Sequence, residues 1–275
     1  MHKFIFCICG LFISLSSYSQ TVVDTADYRF VYDAQLKTAE GNERLTTDEH
    51  WLVISKNGQS KYSSHWGDRI TFVLDSLSKE GGNYNNEYLR IIRGEGIENV
   101  HFGYSVFKNY PIAGTQTVIY KSLEIIQYNE DMGQEWQLED GDTLTLGYPC
   151  HKATCEYHGR TWTAWFAPEI PIQDGPWKLC GLPGLILRAY DDKGEFIFNC
   201  VSMEKDVSVP IEMRDKVNKM DSASKAHRAI EQMDNDMEGY FKMKYGSAPK
   251  ITKYDPSGKE VPYTPLKWIM MEKYE

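Results

Sequence analysis

What the chain lacks narrows the field first. After residue 19 no stretch is long and apolar enough to span a bilayer as a helix, which takes roughly 18 to 20 residues. Basic side chains are in the minority, 30 Lys and Arg against 39 Asp and Glu, and they form no stripe. Such a chain repels phosphate backbones, which disfavours nucleic-acid binding. There is no Gly-x-Ser-x-Gly elbow, no glycine-rich phosphate loop and no dinucleotide fingerprint. Internal repeats and low-complexity tracts are also missing. The paired carboxylates Asp140/Asp142 and Asp191/Asp192 fall in turn-forming stretches, where they read as solvated turn formers.

The first 19 residues read as an export leader. His2 and Lys3 precede an apolar run from Phe4 to Leu15, and Ser17-Tyr18-Ser19 offers a small-x-small cleavage site before Gln20. Cys7 and Cys9 lie inside that run and not just after it, which does not suit a lipid-modified N-terminus. Losing Lys3 leaves 29 basic against 39 acidic side chains, a net charge of −10. The expectation is an exported protein, periplasmic or associated with the outer membrane, with residues 20–275 forming one β-rich domain.

Four cysteines follow the leader: Cys150, Cys155, Cys180 and Cys200. On one strand Cys150 and Cys155 stand about 16 Å apart. A disulfide needs Cα atoms within about 7 Å, so those two do not bridge each other. Either Cys180 and Cys200 each pair with one of them, or the thiols stay reduced in the core. His151 and His158 interleave with Cys150 and Cys155, which raises soft-metal binding as an alternative. Along a strand, however, His151 and Cys155 are about 13 Å apart, so one ion needs donors from elsewhere. Cys150-His151 is no catalytic dyad by adjacency, because strand neighbours face opposite sides.

Strands dominate the pattern. Ala26 to Leu36 alternates, with Tyr28, Phe30, Tyr32 and Ala34 on one face. Asn57-Gly58 marks a hairpin between His50–Lys56 and Gln59–His65, and His158-Gly159 marks another between Cys150–Tyr157 and Arg160–Phe166. The second sets Cys155 opposite Trp162 and Ala153 opposite Ala164. Asp140-Gly141-Asp142 reads as a turn, Tyr84 to Gly96 as a polar loop with a short strand at Tyr88 to Ile92, and Tyr190 is expected opposite Glu195. Helical spacing appears at Gly67 to Lys79 and again from Ser222 to Tyr245, where Ala226, Ile230, Met233, Met237 and Phe241 recur. Ser222 suits the cap and Gly246 the close. The expected architecture is mainly β with appended α: one curved antiparallel sheet, half-barrel-like, with a helix near 67–79 and a longer one near 222–245 packed on it.

Gly175 to Leu187 is the stretch the chain is organised around. Leu182-Pro183-Gly184-Leu185 has the composition of a type II turn feeding an alternating strand from Leu185 to Tyr190. Gly181-Leu182-Pro183-Gly184-Leu185-Ile186 resembles the hexapeptide that names the GLPGLI family, exported proteins of Gram-negative bacteria without an established activity. Gly147-Tyr148-Pro149-Cys150, Gly159-Arg160, Ala164-Trp165, Ile170-Pro171-Ile172 and the closing Pro262-Tyr263-Thr264-Pro265-Leu266 extend the likeness. It implies a shared fold and compartment; it supplies no catalytic residue and no cofactor.

Aromatic residues make up 13% of the chain, which suits either core filling or an apolar ligand on a curved sheet. The leading expectation is a non-enzymatic envelope protein that binds an apolar molecule or a partner envelope protein. Metal handling through Cys150, Cys155, His151 and His158 is the alternative, and a hydrolase comes third.

Overall fold

Two long strands, β1 (Gln20–Leu36) and β11 (Phe196–Arg214), pair antiparallel along nearly their whole length. The computed structural model describes residues 20–80, 102–215, 217–248, 253–254, 259–261 and 267–273. The leader with Cys7 and Cys9, the 84–96 stretch and the closing 262–266 motif lie outside the described residues.

A meander extends from each long strand. On the side of β1 come β2 (Thr46–Ser55), β3 (Ser60–Ser64), β4 (Tyr104–Lys108), β5 (Thr115–Lys121) and β6 (Ile125–Asp131), edged by a two-residue parallel strand, β12 (Asn218–Lys219). On the side of β11 come β10 (Leu185–Asp191), β9 (Arg160–Ala167), β8 (Tyr148–Tyr157) and β7 (Gln137–Thr145). The result is a single open sheet of 12 strands. A separate pair, β13 (Lys253–Tyr254) and β14 (Glu260–Val261), forms a second small ribbon.

Connectivity requires this sheet to curl. Residues 132–136 alone join β6 to β7, which stand ten strands apart in the sheet order. Laid flat, ten spacings of about 4.8 Å would separate them by about 48 Å. Six peptide steps reach about 21 Å at most. The two ends of the sheet therefore face each other, and contacts across the gap agree: the Gln116 amide donates to the Tyr157 hydroxyl at 3.1 Å, from β5 to β8.

The inside of the curl is filled. Phe30, Tyr32, Ala34 and Leu36 of β1 are buried at period two, with Leu52, Tyr62, Val106, Val118, Phe198 and Ala164 from the neighbouring strands. Trp162 and Trp177 are fully buried with ring centroids 5.3 Å apart. Each takes roughly 200 Å² out of water, worth about 5 kcal/mol at about 25 cal/mol per Å².

Helix α1 (His65–Glu80) packs against β2 and β3. The expected C-terminal helix is broken in two, α2 (Ala223–Asn235) and α3 (Met237–Tyr245). Asp236 takes φ −140 and its carboxylate accepts from the Gly239 amide at 3.0 Å, so it ends one helix and caps the next. Ser222 caps α2 and Gly246, at φ 78, closes α3.

Three local readings need correction. The Pro183 reversal is not a type II turn: the Gly184 amide bonds the Leu182 carbonyl at 2.8 Å, and the Leu185 amide bonds Ile170 at 3.0 Å. It is a three-residue reversal. Asp140-Gly141-Asp142 is a bulge within β7, where the register against β8 slips between Glu139 and Asp142. Tyr190 sits opposite Ile197, because the Asp191 carboxylate accepts from the Glu195 and Phe196 amides and widens the turn. The slip is two residues, so Leu187, Ala189, Phe198 and Cys200 still share the buried face.

Candidate functional site

The motif stretch does structural work. A Cβ on Gly184 would run into the Ala167 carbonyl, so only glycine lets this loop lie against the end of β9. Just before it, Asp174 and Lys108 form a buried pair at 2.5 Å. The Lys108 ammonium also donates to the carbonyls of Gly175 at 2.7 Å and Leu179 at 3.2 Å, and Ser60 donates to Asp174 at 2.6 Å. These bonds fix the 174–182 loop over the gap in the curled sheet. There Trp136 donates to the Cys180 carbonyl at 2.7 Å, tying the 132–136 link to the loop.

Lys178 follows Trp177 into that gap. Its ammonium pairs with Glu130 of β6 and, at 2.7 Å, with Glu272 near the C-terminus. His227 of α2 lies 2.6 Å from Glu272, and His158 of the β8–β9 turn lies 3.5 Å from Glu130 and 3.8 Å from Glu272. The Tyr128 hydroxyl accepts from Lys178 at 3.0 Å. Burial alone would push both carboxyls up; Lys178, helped by His158 for Glu130 and by His227 for Glu272, outweighs it and holds both below the usual carboxylate range.

Glu130, His158 and Glu272 place three donor atoms within 4.8 Å of one another, the convergent metal-type donor set among the described residues. The Lys178 ammonium already bridges both carboxylates, so the space a divalent ion would take holds a cation supplied by the chain. Of the expected ligands only His158 belongs to this cluster. His151 is exposed and pairs with Asp142 at 2.8 Å. Cys150 and Cys155 turn to the core side of β8 with Ala153 between them.

The four cysteines are free, buried thiols, and no disulfide joins any of them. The crossed pairing gives way to the reduced-core reading. Burial pushes the thiols up, Cys155 and Cys200 to about 12 and Cys180 to about 11. Such groups are poor nucleophiles and poor metal ligands.

A cavity of about 330 Å³ opens beside this core. Its walls are Leu36 at the end of β1 with Lys37 after it, α1 (Gly67, Ile70, Thr71), the Phe102-Gly103-Tyr104 entry to β4, Tyr120 and Lys121 of β5, Phe196, and residues Trp268, Ile269, Met270 and Met271. Gly103 is required here, because a Cβ would stand 2.7 Å from the Lys121 carbonyl and 2.9 Å from the Tyr120 ring. One carboxyl group enters the largely apolar lining. Asp234, in the last turn of α2, accepts from the Tyr120 hydroxyl and the Ser122 hydroxyl, each at 2.5 Å. Burial raises its proton affinity, and those two hydroxyls only partly oppose the shift.

Sequence reasoning did not single out Asp234, His227, Lys178, Glu130 or Glu272. A signal existed for the first two: His227 and Asp234 flank Ile230 at spacings of three and four, so both sit on the apolar stripe of the helix.

Residues 109–188 match a family described as "Protein of unknown function (Porph_ging)", less than a third of the chain. No curated protein matches. Two solved structures of PNGF-II, in space groups P21 and C2, resemble the chain with TM-scores of 0.46 and 0.45 at 12% identity. In each case 74% of this chain aligns with 32% of the other, so the chain spans about a third of the length of those proteins.

Proposed function

We propose that this chain is a non-enzymatic protein of the exported GLPGLI kind that binds a small, mainly apolar molecule in the cavity between α1, the end of the sheet and residues 268–271. The observation that carries the reading is the cavity itself: about 330 Å³ lined by Leu36, Ile70, Phe102, Tyr104, Tyr120 and Trp268, with Asp234 as its acidic polar group. Apolar walls with few polar groups are the usual make-up of a small-molecule site. The inside of the curl offers no such room, being packed with Trp162, Trp177 and Phe198. The buried carboxylates favour structure over catalysis, since Lys178 neutralises them away from the cavity walls.

The test is native mass spectrometry of protein purified from the periplasm, beside an Ile70→Trp variant that fills the cavity. A co-purifying species on the wild type that is reduced at least tenfold on Ile70→Trp supports the reading. Repeated wild-type preparations free of any bound species count against it, as does a species that Ile70→Trp retains in full.

A further inference from the structure

The segment 267–273 both walls the cavity and fastens to the body, and its two halves are held in different ways. The inner half is anchored in the core. Arg160 donates to the carbonyls of Met271 at 3.0 Å and Met270 at 2.7 Å, while its guanidinium pairs with Asp191 and Glu195. Glu272 is locked by Lys178 and His227, and the Lys273 amide bonds the His158 carbonyl at 2.9 Å. Met271 and Glu272 are each only 3% exposed.

The outer half lies along the rim. The Glu40 amide bonds the Lys267 carbonyl at 2.9 Å and the Ile269 amide bonds the Thr38 carbonyl at 3.0 Å, which places Ala39 opposite Trp268. Asn235 accepts from the Trp268 amide at 2.6 Å. The accompanying ion pair, Lys267–Glu40, is on the surface, with side chains 67% and 58% exposed. Surface pairs hold weakly.

The remaining walls are costlier to move. β4 and β5 are paired on both sides within the sheet. α1 is pinned at Asp68 by Lys61 and Lys121 and at Asp75 by Arg214. Segments with few buried contacts and exposed bonds open first.

We infer that residues 267–269 are the gate of this cavity, swinging from an anchor at Met270–Lys273 to admit and release the ligand. The inference rests on the binding reading above and adds the route. Trp268 and Ile269 line the cavity from the moving half, so their displacement opens it directly.

The test is a tether across the rim in the full chain: Glu40→Cys with Lys267→Cys. These exposed positions flank the Ala39–Trp268 pair and face each other, where antiparallel strands hold Cα atoms about 5.5 Å apart, within disulfide reach. Neither residue lines the cavity. The probe is N-phenyl-1-naphthylamine, an uncharged apolar fluorophore, followed by stopped-flow fluorescence. The expected result is wild-type uptake, at least tenfold slower uptake and release in the oxidised double variant, and full recovery on adding reductant. Equal rates in the oxidised and reduced forms overturn the gate while leaving the cavity as a binding site. No uptake by the wild type, or uptake that Ile70→Trp does not diminish, overturns both.

Discussion

Lys178 and Glu272 lie 94 residues apart in the chain and meet at 2.7 Å with neither side chain exposed to solvent. The pair joins the loop that fills the gap of the sheet to the 267–273 segment, and Glu130 brings in β6. Removing the ammonium leaves two buried carboxylates facing each other. Lys178→Met is expected to cost about 3–5 kcal/mol of stability in urea unfolding. Adding Glu130→Gln and Glu272→Gln to it should recover part of the loss.

The same pair sets the response to acid. Glu130 and Glu272 have folded-state pKa values below their ordinary 4.5. Their contribution is fully present above that value and is lost as pH falls through the depressed ones. The stability gap between wild type and Glu272→Gln should therefore be wide at pH 6 and narrow steadily below pH 4.5. A gap that does not change with pH would show that folding leaves the Glu272 pKa unshifted.

The thiols respond in the opposite direction. Cys155, Cys180 and Cys200 titrate near 9.0 when unfolded and near 11 to 12 when folded. Their contribution to stability is undiminished below pH 9 and is lost as pH rises from there. At pH 8 iodoacetamide should label none of the four cysteines in the native protein and all of them in denaturant, as read by mass spectrometry.

Gly181 and Gly184 share a motif but have different reasons to be glycine. Gly181 takes φ +89 with nothing within 4 Å, so Gly181→Ala meets only backbone strain of about 1–2 kcal/mol. Gly184→Ala drives a methyl group into the Ala167 carbonyl and forces β9 and β10 apart. Melting temperatures should fall modestly for the first variant and severely for the second.

Asp234→Asn is expected to stabilise the protein at pH 7. A raised pKa means that the fold prefers the protonated carboxyl, so the ionised form costs stability at neutral pH and the cost fades in acid. The amide keeps partners for Tyr120 and Ser122 without the charge. Thermal melts at pH 7 and pH 4 should show the gain at the first and a smaller one at the second.

Much of the fold was legible in short-range pattern. The hairpin at His158-Gly159 has the expected register, Cys155 opposite Trp162 and Ala153 opposite Ala164, because two positive-φ residues fix the turn and period two fixes the faces. Expectations failed where a side chain took over a backbone job. Asp236 interrupts a continuous apolar stripe by capping a new helix, and Asp191 lengthens a turn by binding two amides. The candidate site was less legible still. Lys178 and Glu272 sit in stretches with no periodic signal, and only the curl of the sheet brings them to Glu130 of β6.

The union of β1 and β11 also bears on how the molecule forms. Arg29 bonds Glu204, 175 positions further along the chain, so one flank of β1 waits for its mate until β11 has been made. Contacts so distant in sequence make for slow assembly. Through that interval β1 offers a bare row of peptide groups to any neighbouring chain, and protection from such pairing falls to whatever escorts the nascent polypeptide.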